Sequence, residues 1–246
     1  MSSSTSEAKA ASRYLIVDRA WIRRPSLAHY MRHIATVLPQ AIARLIESLQ
    51  LVHSSRVLDF GCADQPYRKC FNDDVKYIGA DLQGNALAEV VIDEAGRLGI
   101  EDNSVDAVLS TQVLEHVGDP ALYLSESLRV LKPGGQLLLT THGMMVLHRD
   151  PVDYWRWTSD GLRHVVEQAG FEITHFEGLM GLGATGVQFF QDATVLKLPR
   201  FMRRGYIVIM QFLVALADRL DNDQSKALNA LVFAVVARKP SAGNIS

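Results

Sequence analysis

The sequence predicts one α/β domain, in which a mostly parallel sheet carries helices on both faces. Three observations predict it. Short β-branched runs alternate along the chain with helical or loop segments, the pattern left by strands joined through crossover helices. The 246 residues are 48% hydrophobic and 21% charged, enough to bury one large core. No internal repeat and no long linker breaks the alternation.

Residues 1–13 (MSSSTSEAKAASR) are small and polar and are expected to form a disordered tail. They lack the apolar centre of a secretory leader, so a cytoplasmic location is expected. One domain is expected over 14–240, opening with a helical region at 14–53. There, Leu27, Met31, Ile34, Leu38, Ile42, Leu45 and Leu49 recur at helical spacing. Pro39 predicts a kink or break within that region. Strands are expected at 56–60 (RVLDF), 76–80 (KYIGA), 89–92 (EVVI) and 105–110 (VDAVLS). Asp119 then Pro120 start a helix, since the carboxylate caps free N–H groups and proline loses nothing in the first turn. Lys132-Pro133-Gly134-Gly135 stops it, and QLLLTTH reads as the fifth strand. A helix at 159–169 precedes a sixth strand at 171–177, and a seventh is expected at 230–239.

Roughly 50 residues separate the last two strands, far more than a simple α/β connection needs. Residues 179–229 are therefore a helical insertion before the last strand and a candidate cover for a substrate. Their most apolar run, Gly205 to Ala217, is shorter than the roughly 20 residues of a spanning helix. It is expected to be a buried helix, with peripheral membrane contact as the alternative.

A net charge of −2 gives no electrostatic reason to expect a nucleic-acid partner. The only two cysteines, Cys62 and Cys70, form neither a zinc pattern nor a disulfide framework, which fits a reducing compartment. No His and carboxylate set stands at metal-ligand spacing, so no metal is expected.

Ligands of open parallel sheets bind beyond the carboxyl ends of the strands. After the first strand comes Asp59-Phe60-Gly61-Cys62-Ala63-Asp64-Gln65-Pro66-Tyr67, and Asp81 stands 22 residues after Asp59, ending the second strand. A carboxylate there accepts hydrogen bonds from both hydroxyls of a ribose, so Asp81 is a nucleoside reader. A dinucleotide dehydrogenase offers the same acid but needs G-x-G-x-x-G, whose free N–H groups face a diphosphate. Here Pro66 removes a donor and Asp64 places negative charge beside the phosphates. A ligand without phosphate and with positive charge fits the loop better.

These segments resemble the class I S-adenosylmethionine-dependent methyltransferases over roughly residues 54–178. VLDFGCA is similar to that family's first motif and IGADL to its second. EDNSVDAVLSTQVLEHV followed by LRVLKPGGQLLLTTH is similar to its third to fifth motifs. The resemblance implies a Rossmann-like seven-stranded, mostly parallel sheet with the last strand antiparallel, S-adenosylmethionine as cofactor and S-adenosylhomocysteine as product. It implies that Gly61 lets the backbone approach the methionine part, with Cys62 and Ala63 beside it, and that Asp59 orients the loop or the ammonium. Asp81 would hold the ribose, with Leu82 next to it. Asp93 or Glu94 would read the adenine amino group, and Gln112 would lie by the methionyl part. Ala63 and Gln65 depart from the family's G-x-G-x-G.

For the acceptor, His142 ends the fifth strand and His148 opens HRDPVDYWRWT, on the face where a substrate arrives. Either histidine, or Asp153, is a candidate base. Glu115 and His116 fall on an expected helix after the fourth strand and read as structural. Tyr154, Trp155, Arg156 and Trp157 interleave rings with charges near Asp150 and Asp153, a composition suited to a sugar. The same segment is similar to a methyltransferase branch associated with sugar and polysaccharide assembly. The resulting expectation is O-methylation of a sugar, glycan or related small molecule. The alternatives are a lipid-linked or quinone-like acceptor, a methyltransferase-like binding module without activity, and, most distantly, a nicotinamide dehydrogenase.

Overall fold

In the computed structural model, residues 25–149 and 152–241 are described. The expected tail at 1–13, the residues up to Arg24, and Asp150 and Pro151 lie outside them. The strands are β1 (Arg56–Phe60), β2 (Lys76–Asp81), β3 (Val90–Val91), β4 (Val105–Thr111), β5 (Leu131–His142), β6 (Glu172–Gly181) and β7 (Ala230–Arg238). They form one sheet in the order β3-β2-β1-β4-β5-β7-β6. The first five pair in parallel, and β7 lies antiparallel between β5 and β6. The carboxyl ends of β1, β2, β4, β5 and β6 therefore share one edge.

The helices are α1 (Arg32–Ser48), α2 (Pro120–Val130), α3 (Ser159–Gln168), α4 (Leu182–Thr194), α5 (Arg200–Leu220) and α6 (Asp223–Leu228). Two of the expected starts are visible as caps. Asp119 accepts from the Leu122 N–H at 3.0 Å, with Pro120 in the first turn, and Thr158 accepts from the Gly161 N–H at 3.0 Å. The period-2 alternation of the central strands divides the core into two layers. Val57, Ala107, Leu109 and Leu138 face α1 and α5, while Leu58, Phe60, Val108, Leu137 and Leu139 face α2 and α3.

Three sequence expectations need correction. Pro39 neither ends nor splits its helix, because α1 runs continuously from Arg32 to Ser48 around it. The fifth strand begins at Leu131 rather than Gln136, because Lys132 to Gly135 enter the ladder through a register shift opposite Val105 and Ala107. The apolar helix begins at Arg200 rather than Gly205 and is not buried. Only Met210, Gln211, Val214 and Asp218 turn inward. Among the described residues, no helix is long and apolar enough to cross a membrane.

Candidate active site

The loop after β1 is folded by residues that fix its backbone. The N–H groups of Gly61 and Cys62 both donate to the Ala80 carbonyl, at 2.8 and 3.0 Å, which ties the loop to β2. Gly61 has φ +90°, and a Cβ there would fall 2.6 Å from Val113 Cγ2, so only glycine fits. Ala63 and Gln65 also sit at positive φ, 44° and 52°. The two positions where the chain departs from the glycine pattern thus keep a glycine-like backbone, at a strain of roughly 1–2 kcal/mol each. Asp81 accepts from the Ala63 N–H at 2.9 Å, from Asn85 Nδ2 at 2.7 Å and from its neighbour Leu82 N–H at 2.8 Å. Its carboxylate closes the loop at the sheet edge and remains half-exposed.

Asp59 is buried beneath that loop. Tyr77 donates its hydroxyl to Asp59 Oδ2, while Oδ1 has no partner. Burial pushes the Asp59 carboxyl up to about 7, against the Tyr77 hydrogen bond, with the Asp81 charge adding to the rise. Burial, then the charges of Asp59 and Asp81, push the Cys62 thiol up to about 12, so it packs as a neutral group. An orphaned buried carboxylate oxygen beneath a loop that admits no Cβ at Gly61 fits the cationic amino-acid end of S-adenosylmethionine. A cation near Asp59 favours its charged form, so binding releases a proton and affinity rises with pH through about 7. Titration calorimetry is expected to find S-adenosylmethionine bound up to about tenfold more weakly at pH 6 than at pH 8. Asp59→Asn is expected to flatten that dependence.

The other expected cofactor residues fall along the same edge. Gln112, at φ 56°, follows β4, donates its N–H to the Thr140 carbonyl at 2.8 Å and its Nε2 to Thr140 Oγ1 at 3.2 Å. Leu82 is exposed beside Asp81. Asp93 lies just past β3 but spends Oδ1 on the N–H groups of Ala95 and Arg97, at 2.9 and 2.8 Å, and so builds a turn; Glu94 is exposed next to it.

A second cluster stands at the ends of β4 and β5. Glu115 lies on a single tight turn, Leu114–His116, rather than on the expected helix, and is fully buried. Its Oε2 accepts from Thr141 Oγ1 at 2.8 Å. Its Oε1 stands 3.3 Å from His142 Nε2, within ion-pair range but off the direction of a hydrogen bond. His142 Nδ1 is buried without a partner. The rings of His116, His142 and His148 stand 5.9–6.4 Å apart, and His116 Nδ1 meets the Val152 carbonyl. Burial pushes Glu115 up to about 7, partly offset by its hydrogen bonds. Burial and then the nearby charges of Arg156, His148 and His116 push His142 down to about 3, so its imidazole is neutral at neutral pH.

Two sequence candidates turn out to be committed elsewhere. Asp153 pairs with Arg156 and accepts the His148 N–H at 2.6 Å. Burial would raise its pKa, but those hydrogen bonds hold it at about 2, so Asp153 is not a base near neutral pH. Arg156 also donates to the carbonyls of Met145, Val146 and Trp155, each at 2.7 Å, and thereby pins the segment instead of reading a substrate. Tyr154 and Trp155 are exposed, and the Trp155 and Trp157 rings stack at 5.7 Å. Trp155 donates its indole N–H to the Val117 carbonyl at 2.7 Å, whereas the buried indole nitrogen of Trp157 has no partner. Among the described residues no group of three or more metal-binding side chains converges.

The structure also brings in two residues that were not singled out, Tyr77 and Asn85, which position the two carboxylates, and it sets Glu115 and His116, read from the sequence as structural, beside the histidines. Tyr77 is a strand residue two before Gly79, and Asn85 lies four beyond Asp81. Their only sequence signal is that proximity to the acidic motif.

Residues 58–139 match a family model described as a methyltransferase domain. A probable S-adenosylmethionine-dependent methyltransferase of Mycolicibacterium smegmatis is 35% identical over 104 residues, covering 40% of this chain and 37% of the relative. A 2-methyl-6-phytyl-1,4-hydroquinone methyltransferase of Synechocystis is 34% identical over 124 residues, covering 48% and 38%. A ubiquinone biosynthesis O-methyltransferase of Dinoroseobacter shibae is 28% identical over 164 residues, covering 51% and 63%. In each case the matched stretch spans less than two thirds of the relative's length. Among solved structures, a sarcosine dimethylglycine methyltransferase from Galdieria sulphuraria, described as putative, superposes with a TM-score of 0.56 at 13% identity, covering 94% of this chain and 98% of that one. A phosphoethanolamine N-methyltransferase from Haemonchus contortus in complex with S-adenosyl-L-methionine superposes with a TM-score of 0.53 at 17% identity, covering 92% and 60%. Residues 58–139 are thus a methyltransferase domain, and the fold around them is that of the solved methyltransferases on which the chain superposes.

Proposed function

We propose that this chain methylates an oxygen of a small acceptor held over the ends of β4 and β5, and that a phenolic, quinol-like ring fits the site better than a sugar. The observation that carries the reading is His142, whose buried and unpartnered Nδ1 is backed through Nε2 by the buried Glu115. Bound at the β1 loop, S-adenosylmethionine supplies an electrophilic methyl group on a sulfonium. The chain's own part is to orient the acceptor, exclude water and take the hydroxyl proton. Once a turn of the ring points Nε2–H at Glu115 Oε1, 3.3 Å away, neutral His142 accepts that proton at Nδ1 and passes the Nε2 proton to Oε1. The pair gains one proton and ends with a neutral imidazole over a protonated carboxyl. A carboxyl that titrates at about 7 is matched to that task.

The phenolic preference follows from what is left free around the site. Tyr154 and Trp155 offer aromatic surface, but Asp153 and Arg156, the groups suited to sugar hydroxyls, are spent on each other and on backbone. The relatives named for hydroquinone and ubiquinone methylation support the same class. A sugar or glycan is the second reading, supported by the exposed rings and by the segment's similarity to the sugar-associated branch.

The test is incubation with S-adenosylmethionine and matched panels of catechols, hydroquinones and monosaccharides, scored by S-adenosylhomocysteine release and by mass of the methyl ether. Turnover confined to the phenols is the expected result. Turnover confined to sugars reverses the order of the two readings. Cofactor binding with no turnover on either panel leaves the chain a binding module.

A further inference from the structure

We infer that α5 docks the protein onto the surface of an anionic lipid bilayer. A helix packed on a soluble core buries its apolar stripe and shows water its polar face; α5 buries only Met210 and Val214 of its apolar residues and leaves the larger share outside. Beside Met210 and Val214, its inward face is held by two polar side chains. Gln211 bonds the Tyr30 carbonyl at 2.8 Å and the side-chain oxygens of Gln188 and Gln191, each at 2.9 Å, and accepts the His33 N–H at 2.8 Å. Asp218 meets His33 Nε2 and Lys226 Nζ, each at 3.0 Å. The outward face carries Phe201 (86% exposed), Ile209 (61%), Phe212 (68%), Leu216 (45%) and Leu220 (82%). Three- and four-residue steps align most of these into one stripe along a helix of 21 residues, roughly 30 Å long.

Charge identifies the occupant. Lys197, Arg200 and Arg204 gather at the amino end of α5, beside Arg203, which donates to the Leu196 and Leu198 carbonyls at 2.9 Å, and no acidic residue occurs from Ala193 to Ala217, although the whole chain has net charge −2. Cations at a helix amino terminus oppose the helix dipole, so helix formation does not account for them. Among the described residues none of the four forms an ion pair. A second copy of α5 has no free carboxylate to offer them, since Asp218 is turned inward and engaged. An anionic bilayer offers both halves of the match, with headgroup phosphates for the cations and acyl chains for the stripe. The docking surface is independent of the acceptor's identity. The α4–α6 excursion leaves the sheet at Gly181 and rejoins it at the paired Ala230, on the edge that carries His142, so docking sets the active site near the membrane.

The test is co-sedimentation of the full chain with phosphatidylglycerol-containing vesicles and with pure phosphatidylcholine vesicles, alongside light scattering without lipid. Binding is expected to the anionic vesicles and to weaken at high salt. It is expected to fall roughly tenfold or more for Arg200→Glu/Arg204→Glu and again for Ile209→Ser/Phe212→Ser. All four positions are exposed or nearly so, and unchanged melting of the variants checks that the fold survives. No binding to either vesicle, equal binding to both, or a lipid-free dimer dispersed by Phe212→Ser overturns the proposal.

Discussion

Asp81→Ala is expected to weaken S-adenosylhomocysteine binding at least a hundredfold in titration calorimetry. A carboxylate that takes two ribose hydroxyls makes two charge-assisted hydrogen bonds, each contributing roughly 1.5–3 kcal/mol. Together that is roughly 3–6 kcal/mol, or two to four orders of magnitude in affinity. The loss has a second source in this chain. Asp81 also holds the Ala63 N–H and Asn85, so its removal frees a loop whose Ala63 and Gln65 are kept at positive φ. The substitution is half-exposed at a strand end, so the melting temperature is expected to change little. Affinity retained within threefold of the parent would show that the ribose is held elsewhere.

Glu115→Gln is expected to lower kcat by roughly a hundredfold to a thousandfold, with little change in KM, because general base catalysis contributes on that scale. In the parent, turnover should climb as pH rises through about 7, where Glu115 loses its proton and becomes able to receive another. The variant should lose that rise, since glutamine does not titrate. The stability effect has the opposite sense. A buried carboxyl whose pKa is raised from 4.5 destabilises the fold progressively as pH climbs from there through about 7. Glutamine carries no such cost and can still accept from Thr141, so the variant should melt no lower than the parent at pH 8. A variant with turnover within a few fold of the parent, or with the same pH profile, would sink the relay.

The parts of this molecule that were legible in the sequence are those encoded locally. β1 occupies Arg56–Phe60 as expected because a central parallel strand is apolar on both faces and is bounded by turn residues. The loop after it and Asp81 were legible because residue type and spacing suffice to bring them to one edge. The sheet order was not encoded in that way, and the antiparallel last strand came from the family resemblance. Pairings between strands were also hidden. Tyr77 reaches Asp59 and His142 reaches Glu115 only because β2 lies beside β1 and β5 beside β4. Glu115 read as structural because its burial depends on the turn at Leu114–His116, which breaks the helical spacing expected there. Arg156 and Asp153 looked available because composition shows which groups are present but not which backbone carbonyls they have to satisfy. The same limit explains α5. Its apolar content suggested burial, yet His33 and Tyr30 draw Gln211 and Asp218 inward and leave the phenylalanines outside.

The antiparallel strand β7 has a consequence for how the molecule is made. Every residue from Ala230 to Ala237 is buried, and the strand is hydrogen-bonded to β5 on one side and β6 on the other. Among the described residues it is also the last strand in sequence order. During synthesis β5 and β6 therefore emerge long before the strand that separates them, each with an open edge ready to pair wrongly or with another chain. Completing the sheet means threading an apolar segment into a gap whose walls lie far away in sequence, a slow step of high contact order. His142, at the end of β5, pairs with Val232 of that strand, so the edge on which it meets Glu115 is complete only once β7 is in place.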